Sequence, residues 1–169
     1  MRLVLSLVTC ALVCIGLPGE AQAKDLRNRL GVGFDTQISQ IPALSIKYVL
    51  PASDKAIGIA IEALGGMRLP AEGQRQIVAG GRLLYTVVAE DQMNLYLGLG
   101  SMYLSTESES MTFEGLRAQA LMGAEFFLYG LDNLGLSLQV GVNVDLGGDT
   151  VGVSTGASSL GGLGLHYYF

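Results

Sequence analysis

From residue 30 onward, apolar residues recur at every second position with small or polar residues between them, the period of a strand whose two faces meet different surroundings. In "RLGVGFDTQ", Leu30, Val32 and Phe34 share one face and Gly31, Gly33, Asp35 and Gln37 the other. "ALSIKYVLP" sets Leu44, Ile46, Tyr48 and Leu50 against Ser45 and Lys47. After the turn-like "PASDK", Ile57, Ile59 and Ile61 oppose Gly58, Ala60 and Glu62. "QIVAGGRLLYTVV" sets Ile77, Ala79, Leu83, Tyr85 and Val87 against Gly80, Arg82 and Thr86. "MNLYLGLGSMYL" places Leu95, Leu97, Leu99 and Tyr103 opposite Asn94, Tyr96, Gly98 and Gly100. "FEGLRAQALMGAEFFL" does the same with Leu116, Met122, Phe126 and Leu128 against Gly115, Arg117, Gln119, Gly123 and Glu125. "LGLSLQVGVNVD" sets Leu136, Leu138, Val140, Val142 and Val144 against Ser137, Gln139, Gly141, Asn143 and Asp145. The last segment, "GLGLHYYF", opposes Leu163, Leu165, Tyr167 and Phe169 to Gly162, Gly164, His166 and Tyr168. These are eight strands in an antiparallel meander. Polar "STESES" (105–110) and residues 146–157 are read as loops between them.

Each strand has one nearly pure apolar face, of roughly the 9–11 residues a tilted strand needs to cross a bilayer. The other face carries Asp35, Glu62, Glu125 and Asp145 against Lys47, Arg82 and Arg117, nearly balanced in sign and set among glycines. A water-facing surface is richer in Lys and Glu; balanced charges beside small residues fit a narrow, ion-paired interior, where an unpaired charge is costly. The apolar face then points outward, as in a membrane barrel. Its aromatics support this. Tyr48, Tyr85, Phe126 and Tyr167 fall near one end of the barrel, and Phe34 and Tyr103 mark the other, the girdles expected at membrane interfaces. The expected fold class is therefore all-β, an eight-stranded antiparallel up-and-down transmembrane β-barrel over residues 24–169. Counting back across "YGLDN" puts Gly123 opposite Gln139, Gln119 opposite Asn143, and Arg117 opposite Asp145 as an interior ion pair.

The opening "MRLVLSLVTCALVCIGLPGEAQAKD" has a basic start, an apolar run from Leu3 to Leu17 and an Ala21-Gln22-Ala23 cleavage pattern, so residues 1–23 are expected to be a cleaved secretory signal peptide. The only two cysteines, Cys10 and Cys14, lie inside it, which removes a disulfide scaffold or a cysteine-based metal site from the mature chain. Half of all residues are hydrophobic and 15% charged, with 24 glycines, and mean hydropathy is +0.44. No later run is long enough for a membrane helix, and glycine at this frequency disfavours helices. A net charge of −5 without a basic cluster excludes nucleic acid as a partner.

The final strand also closes the sheet, since an open edge cannot stand in hydrocarbon. "GLGLHYYF" resembles the C-terminal signature of outer-membrane barrels, alternating hydrophobics that end in a terminal Phe. With the eight-strand pattern, the chain resembles the small bacterial outer-membrane barrels of the OmpA transmembrane-domain, OmpX and OmpW types. That resemblance implies a bacterial outer-membrane location, outer-membrane lipids as neighbours, and recognition of Tyr167 and Phe169 by the barrel-assembly machinery.

Among candidates for chemistry, His166 is the only histidine. A lipid-modifying hydrolase on this barrel would need it beside Ser137 with Glu125 as the acid. The plainer reading is a polar filler, because a side-chain-filled lumen of eight strands offers a substrate little room. "GVG" (31–33) and "GGLGL" (161–165) precede no helix and are read as glycines in a crowded barrel, not phosphate or calcium loops. "STESES" is read as solvated rather than as a cation site. The function expected is that of a monomeric, non-enzymatic barrel without metal or cofactor, with a structural, envelope-integrity or limited-permeability role. The alternatives are the hydrolase and a soluble periplasmic barrel that binds an apolar ligand in its interior.

Overall fold

The computed structural model describes residues 24–36, 42–52, 58–69, 75–108, 111–147, 150–156 and 162–169. The expected signal peptide lies outside them. Strands β1 (Leu30–Asp35), β2 (Ala43–Val49), β3 (Gly58–Arg68), β4 (Arg75–Ala89), β5 (Met93–Ser108), β6 (Met111–Leu128), β7 (Leu131–Gly147), β8 (Thr150–Gly156) and β9 (Gly162–Tyr168) follow one another antiparallel. Gly31–Asp35 of β1 pair with Gly164–Tyr168 of β9, and this seam closes the sheet. Nine segments fill eight wall positions, because β8 and β9 lie in line along β7. β9 pairs with Leu134–Gln139 and β8 with Gly141–Gly147. The result is a closed eight-stranded antiparallel barrel.

Two loops of the sequence reading are ladder instead. β5 continues through Ser108, with Ser105 opposite Glu114 and Glu107 opposite Thr112. β7 runs to Gly147 and β8 pairs back along it over Thr150–Gly156, so much of 146–157 is strand. Alternating hydrophobicity marks only the part of a hairpin with two different faces. Backbone rungs continue beyond it among polar residues, where periodicity is silent. The wall is accordingly uneven, from the six residues of β1 to the eighteen of β6.

The faces follow the alternation. Outward side chains are apolar and exposed on every described side, among them Leu30, Ile46, Ile61, Leu83, Leu99, Met122, Val140 and Leu163. The interior is layered, and the layers can be followed two residues at a time: Ala60, Glu62 and Leu64 along β3, and Leu84, Arg82 and Val78 along β4. We call lower the end that carries the β2–β3, β4–β5 and β6–β7 connections. A lower apolar layer holds Leu26, Val49, Ala60, Leu84, Tyr96, Leu121, Phe127 and Tyr168. An upper one holds Leu64, Val78, Met102 and Leu104. Asp35, Glu62 and Arg82 lie between them, while Arg117 stands level with Met102 of the upper layer.

Large inward side chains stand opposite glycines. Tyr96 is the ladder partner of Gly123 and Tyr168 that of Gly31. A Cβ on Gly123 would come within 2.5 Å of the Tyr96 ring, and one on Gly31 within 2.8 Å of the Tyr168 ring. The glycines of the inner face are therefore the notches into which these rings lie, as close packing demands.

Candidate functional site: a buried ionic layer

Arg82, on β4, is the centre of the layer. Its Nη2 lies 2.8 Å from Asp35 Oδ2 and its Nε 3.1 Å from Glu62 Oε2, and Nη1 donates to Gln139 Oε1 at 2.8 Å. Gln139 Nε2 donates in turn to Asp35 at 2.9 Å, which ties β7 to β1 over the intervening β9. All three charged side chains are fully buried. The planar guanidinium suits this position, since its fork serves two carboxylates and an amide at once.

Lys47 faces Gly31 and Glu62 in the ladder, but its Nζ crosses the lumen to Glu125 Oε1 at 3.1 Å. It lies 5.6 Å from the Tyr96 ring centre and 5.8 Å from that of Tyr168. The Tyr168 hydroxyl donates to the same Glu125 oxygen at 2.7 Å. The ammonium thus sits over the lower aromatic layer, where ring faces favour a cation.

His166, fully buried, completes the layer. Its Nε2 is 2.8 Å from Ser45 Oγ, and the Ser45 hydroxyl donates to Glu62 Oε1 at 2.5 Å. Ser137, the partner that the hydrolase reading requires, stands opposite Gly164 and Glu125 instead, while His166 stands opposite Gly33 and Gly135. Glu62 approaches the same ring nitrogen as the serine, at 3.4 Å, and Nδ1 is 3.9 Å from Glu125. A nucleophile–base–acid relay needs the acid hydrogen-bonded to the opposite nitrogen from the nucleophile, and 3.9 Å is too long for that bond. His166, Ser45 and Glu62 also have no exposed surface. The group links β9, β2 and β3 within the interior.

Higher in the barrel, Arg117 and Asp145 face each other in the ladder and form a two-pronged pair, with Nε–Oδ1 at 2.5 Å and Nη2–Oδ2 at 2.9 Å. Gln119 donates to Asn143 at 2.9 Å one step below. The Arg117–Asp145 side chains are 19% and 29% exposed, so water shares in their solvation. Replacing Arg117 with Met is expected to cost about 1–2 kcal/mol, less than loss of a dry pair. Adding Asp145→Asn should recover most of it in a double-mutant cycle of urea midpoints.

All seven charged residues singled out from the sequence face inward, and the structure joins Asp35, Lys47, Glu62, Arg82 and Glu125 into one layer, with Arg117 and Asp145 apart. Ser45, Gln139, Tyr96 and Tyr168 belong to the layer but were not singled out. Their inward parity was their only signal. The aromatics Phe34, Tyr48, Tyr85, Tyr103, Phe126 and Tyr167 all lie on the outer face, all but the partly covered Phe126 exposed. Phe34 and Phe126 also line a common exterior groove with Leu136, Leu163 and Leu165. Phe169 is 72% exposed, stacks edge-on against Tyr167 at 5.1 Å, and its amide donates to Leu30 O at 2.9 Å.

No protein-family model matches the chain. Nor does any curated protein match it. Among solved structures, it is similar to the crystal structure of the N-terminal β-barrel domain of Pseudomonas aeruginosa OprF, at a TM-score of 0.56 and 12% sequence identity, over 85% of this chain and 98% of that one. The likeness is one of fold, and by it the chain takes its place among closed, eight-stranded antiparallel β-barrels.

Proposed function

We propose that this chain is a non-enzymatic, monomeric integral protein of the bacterial outer membrane, with a structural, envelope-integrity or limited-permeability role. The observation that carries the reading is the inversion of polarity. Charges are enclosed and the closed exterior is apolar, the reverse of what water selects and what lipid requires. A soluble barrel with an apolar interior for a ligand has the opposite orientation. The filled lumen argues for slight permeability at most. The outward aromatics serve as interface anchors, and Tyr167 and Phe169 serve as the signal for the assembly machinery. Support for the location comes also from the export signal read at residues 1–23 and from the likeness of the C-terminal segment "GLGLHYYF" to the end of outer-membrane barrels.

Fractionation of the host envelope tests the proposal. The chain should sediment with outer membranes, require detergent for release and migrate differently on gels before and after heating. Recovery from the soluble periplasm without detergent would refute it. His166→Gln, which keeps an amide within reach of Ser45, is expected to leave lipid A and phospholipid acylation unchanged, as read by mass spectrometry of extracted lipids. A changed acyl pattern at normal protein level would establish the hydrolase instead.

A further inference from the structure

The residues ahead of β1 are bound to the lower ends of three hairpins of the barrel. Lys24 N donates to Glu90 O, beyond the end of β4, at 3.2 Å, and Lys24 Nζ reaches Asp132 at the start of β7 at 3.0 Å. Arg27 Nη1 donates to Ala52 O, just past β2, at 2.8 Å. Arg29 Nη1 donates to Asn133 Oδ1, also at the start of β7, at 2.8 Å. Between these anchors Leu26 is buried in the lower apolar layer with Phe127 and Tyr168. Lys24 Nζ lies 5.5 Å from the centre of the Phe127 ring.

The segment is folded back onto the barrel by a turn, in which Arg29 N donates to Leu26 O at 3.1 Å. Asn28 within it has φ 59°, a left-handed conformation that asparagine tolerates and β-branched residues do not. Residues 24–27 add no rung to the β1–β2 or β1–β9 ladders, whose pairs span Leu30–Asp35 and Gly31–Asp35, whereas from Asn28 onward the chain is fixed to β2: Asn28 N donates to Val49 O at 3.0 Å and Val49 N to Arg29 O at 3.1 Å. The polar anchors of residues 24–27 are partly exposed, the class of bond that water replaces readily.

We propose that Lys24–Arg27 is a strap with a docked and a released position, hinged at Asn28, that closes the lower mouth and can open without unfolding the barrel. When docked it fastens three hairpins and seats Leu26. When released it uncovers the seat beside Phe127 and Tyr168. This holds whatever the role of the barrel.

The test uses thiol labelling of the purified full chain in detergent, in a Cys10→Ser, Cys14→Ser background that removes its only cysteines. Leu26→Cys should react slowly beside Tyr129→Cys, a fully open reference at 89% exposure. Adding Lys24→Ala with Arg27→Ala should speed Leu26→Cys about tenfold while heat-modifiable gel mobility is retained, as for a local opening. Asn28→Gly should keep the slow rate and Asn28→Val should raise it. Labelling of Leu26→Cys as fast as the reference in the parent chain would overturn the proposal, as would a rate indifferent to Lys24 and Arg27. So would loss of folded mobility in both the double variant and Lys24→Ala alone, since the strap would then be inseparable from the wall.

Discussion

Replacing Arg82 with methionine is expected to destabilise the barrel by about 3–5 kcal/mol, a large part of the 5–15 kcal/mol that folded domains ordinarily possess. The side chain it removes is fully buried between Asp35 and Glu62, so the substitution strands two carboxylates out of reach of water. Gln139 also loses the donor to its side-chain oxygen. Arg82→Lys should fall between the two, because a single ammonium keeps the charge but cannot span both carboxylates and the amide. Adding Asp35→Asn and Glu62→Gln to Arg82→Met should restore much of the loss, since a neutral interior of similar volume is tolerated better than an unpaired charge. Urea titration of the refolded protein, followed by gel mobility, reads all three. A midpoint unmoved by Arg82→Met would mean that the layer is hydrated rather than dry.

Gly33→Val is expected to block closure at the β1–β9 seam, at a cost on the order of 3 kcal/mol, the upper end for overpacking. Gly33 is paired with Ser45 on one side and His166 on the other. A Cβ there would meet backbone, 2.7 Å from the carbonyl carbon of Leu165 and 2.8 Å from the Cα of His166. A flexible side chain could move aside, but two paired strands cannot do so without breaking rungs. Gly65→Val supplies the control, since a Cβ at Gly65 meets nothing within 4 Å, and valine is the better strand former. It should be neutral or stabilising by the same urea assay. Equal effects at the two positions would show that strand propensity, not the seam, decides.

The wall and its inner and outer faces were legible because a membrane-type strand states its orientation at every second residue. Across the "YGLDN" turn even the register could be counted, which placed Arg117 opposite Asp145. Contacts across the lumen were not legible in that way. Lys47 and Glu62 are ladder neighbours, and the local expectation would pair them, but Lys47 goes to Glu125 four strands away, on the opposite wall. Such a choice depends on barrel diameter and on which aromatic fills the space below, and neither leaves a period in the sequence. The apolar layers escaped for a related reason. Leu64, Leu84, Leu121 and Phe127 sit at inward parity, yet hydropathy alone assigns such residues to the outside. The interruption between β8 and β9 was hidden because neither segment is long enough to announce a strand of full length.

The two apolar layers also insulate the charges between them from dissolved ions. Sodium and chloride weaken an ion pair only by gathering around it, within a Debye length of about 8 Å at physiological strength, and they gather in water. Arg82, Asp35 and Glu62 present no surface to water, so molar salt has nothing at the centre of the barrel to screen. The Lys24–Asp132 pair, whose carboxylate is 67% exposed, does have such a surface. One molecule therefore carries two electrostatic regimes. Salt in the surrounding water changes how firmly the rim is held, while the interior is indifferent to it.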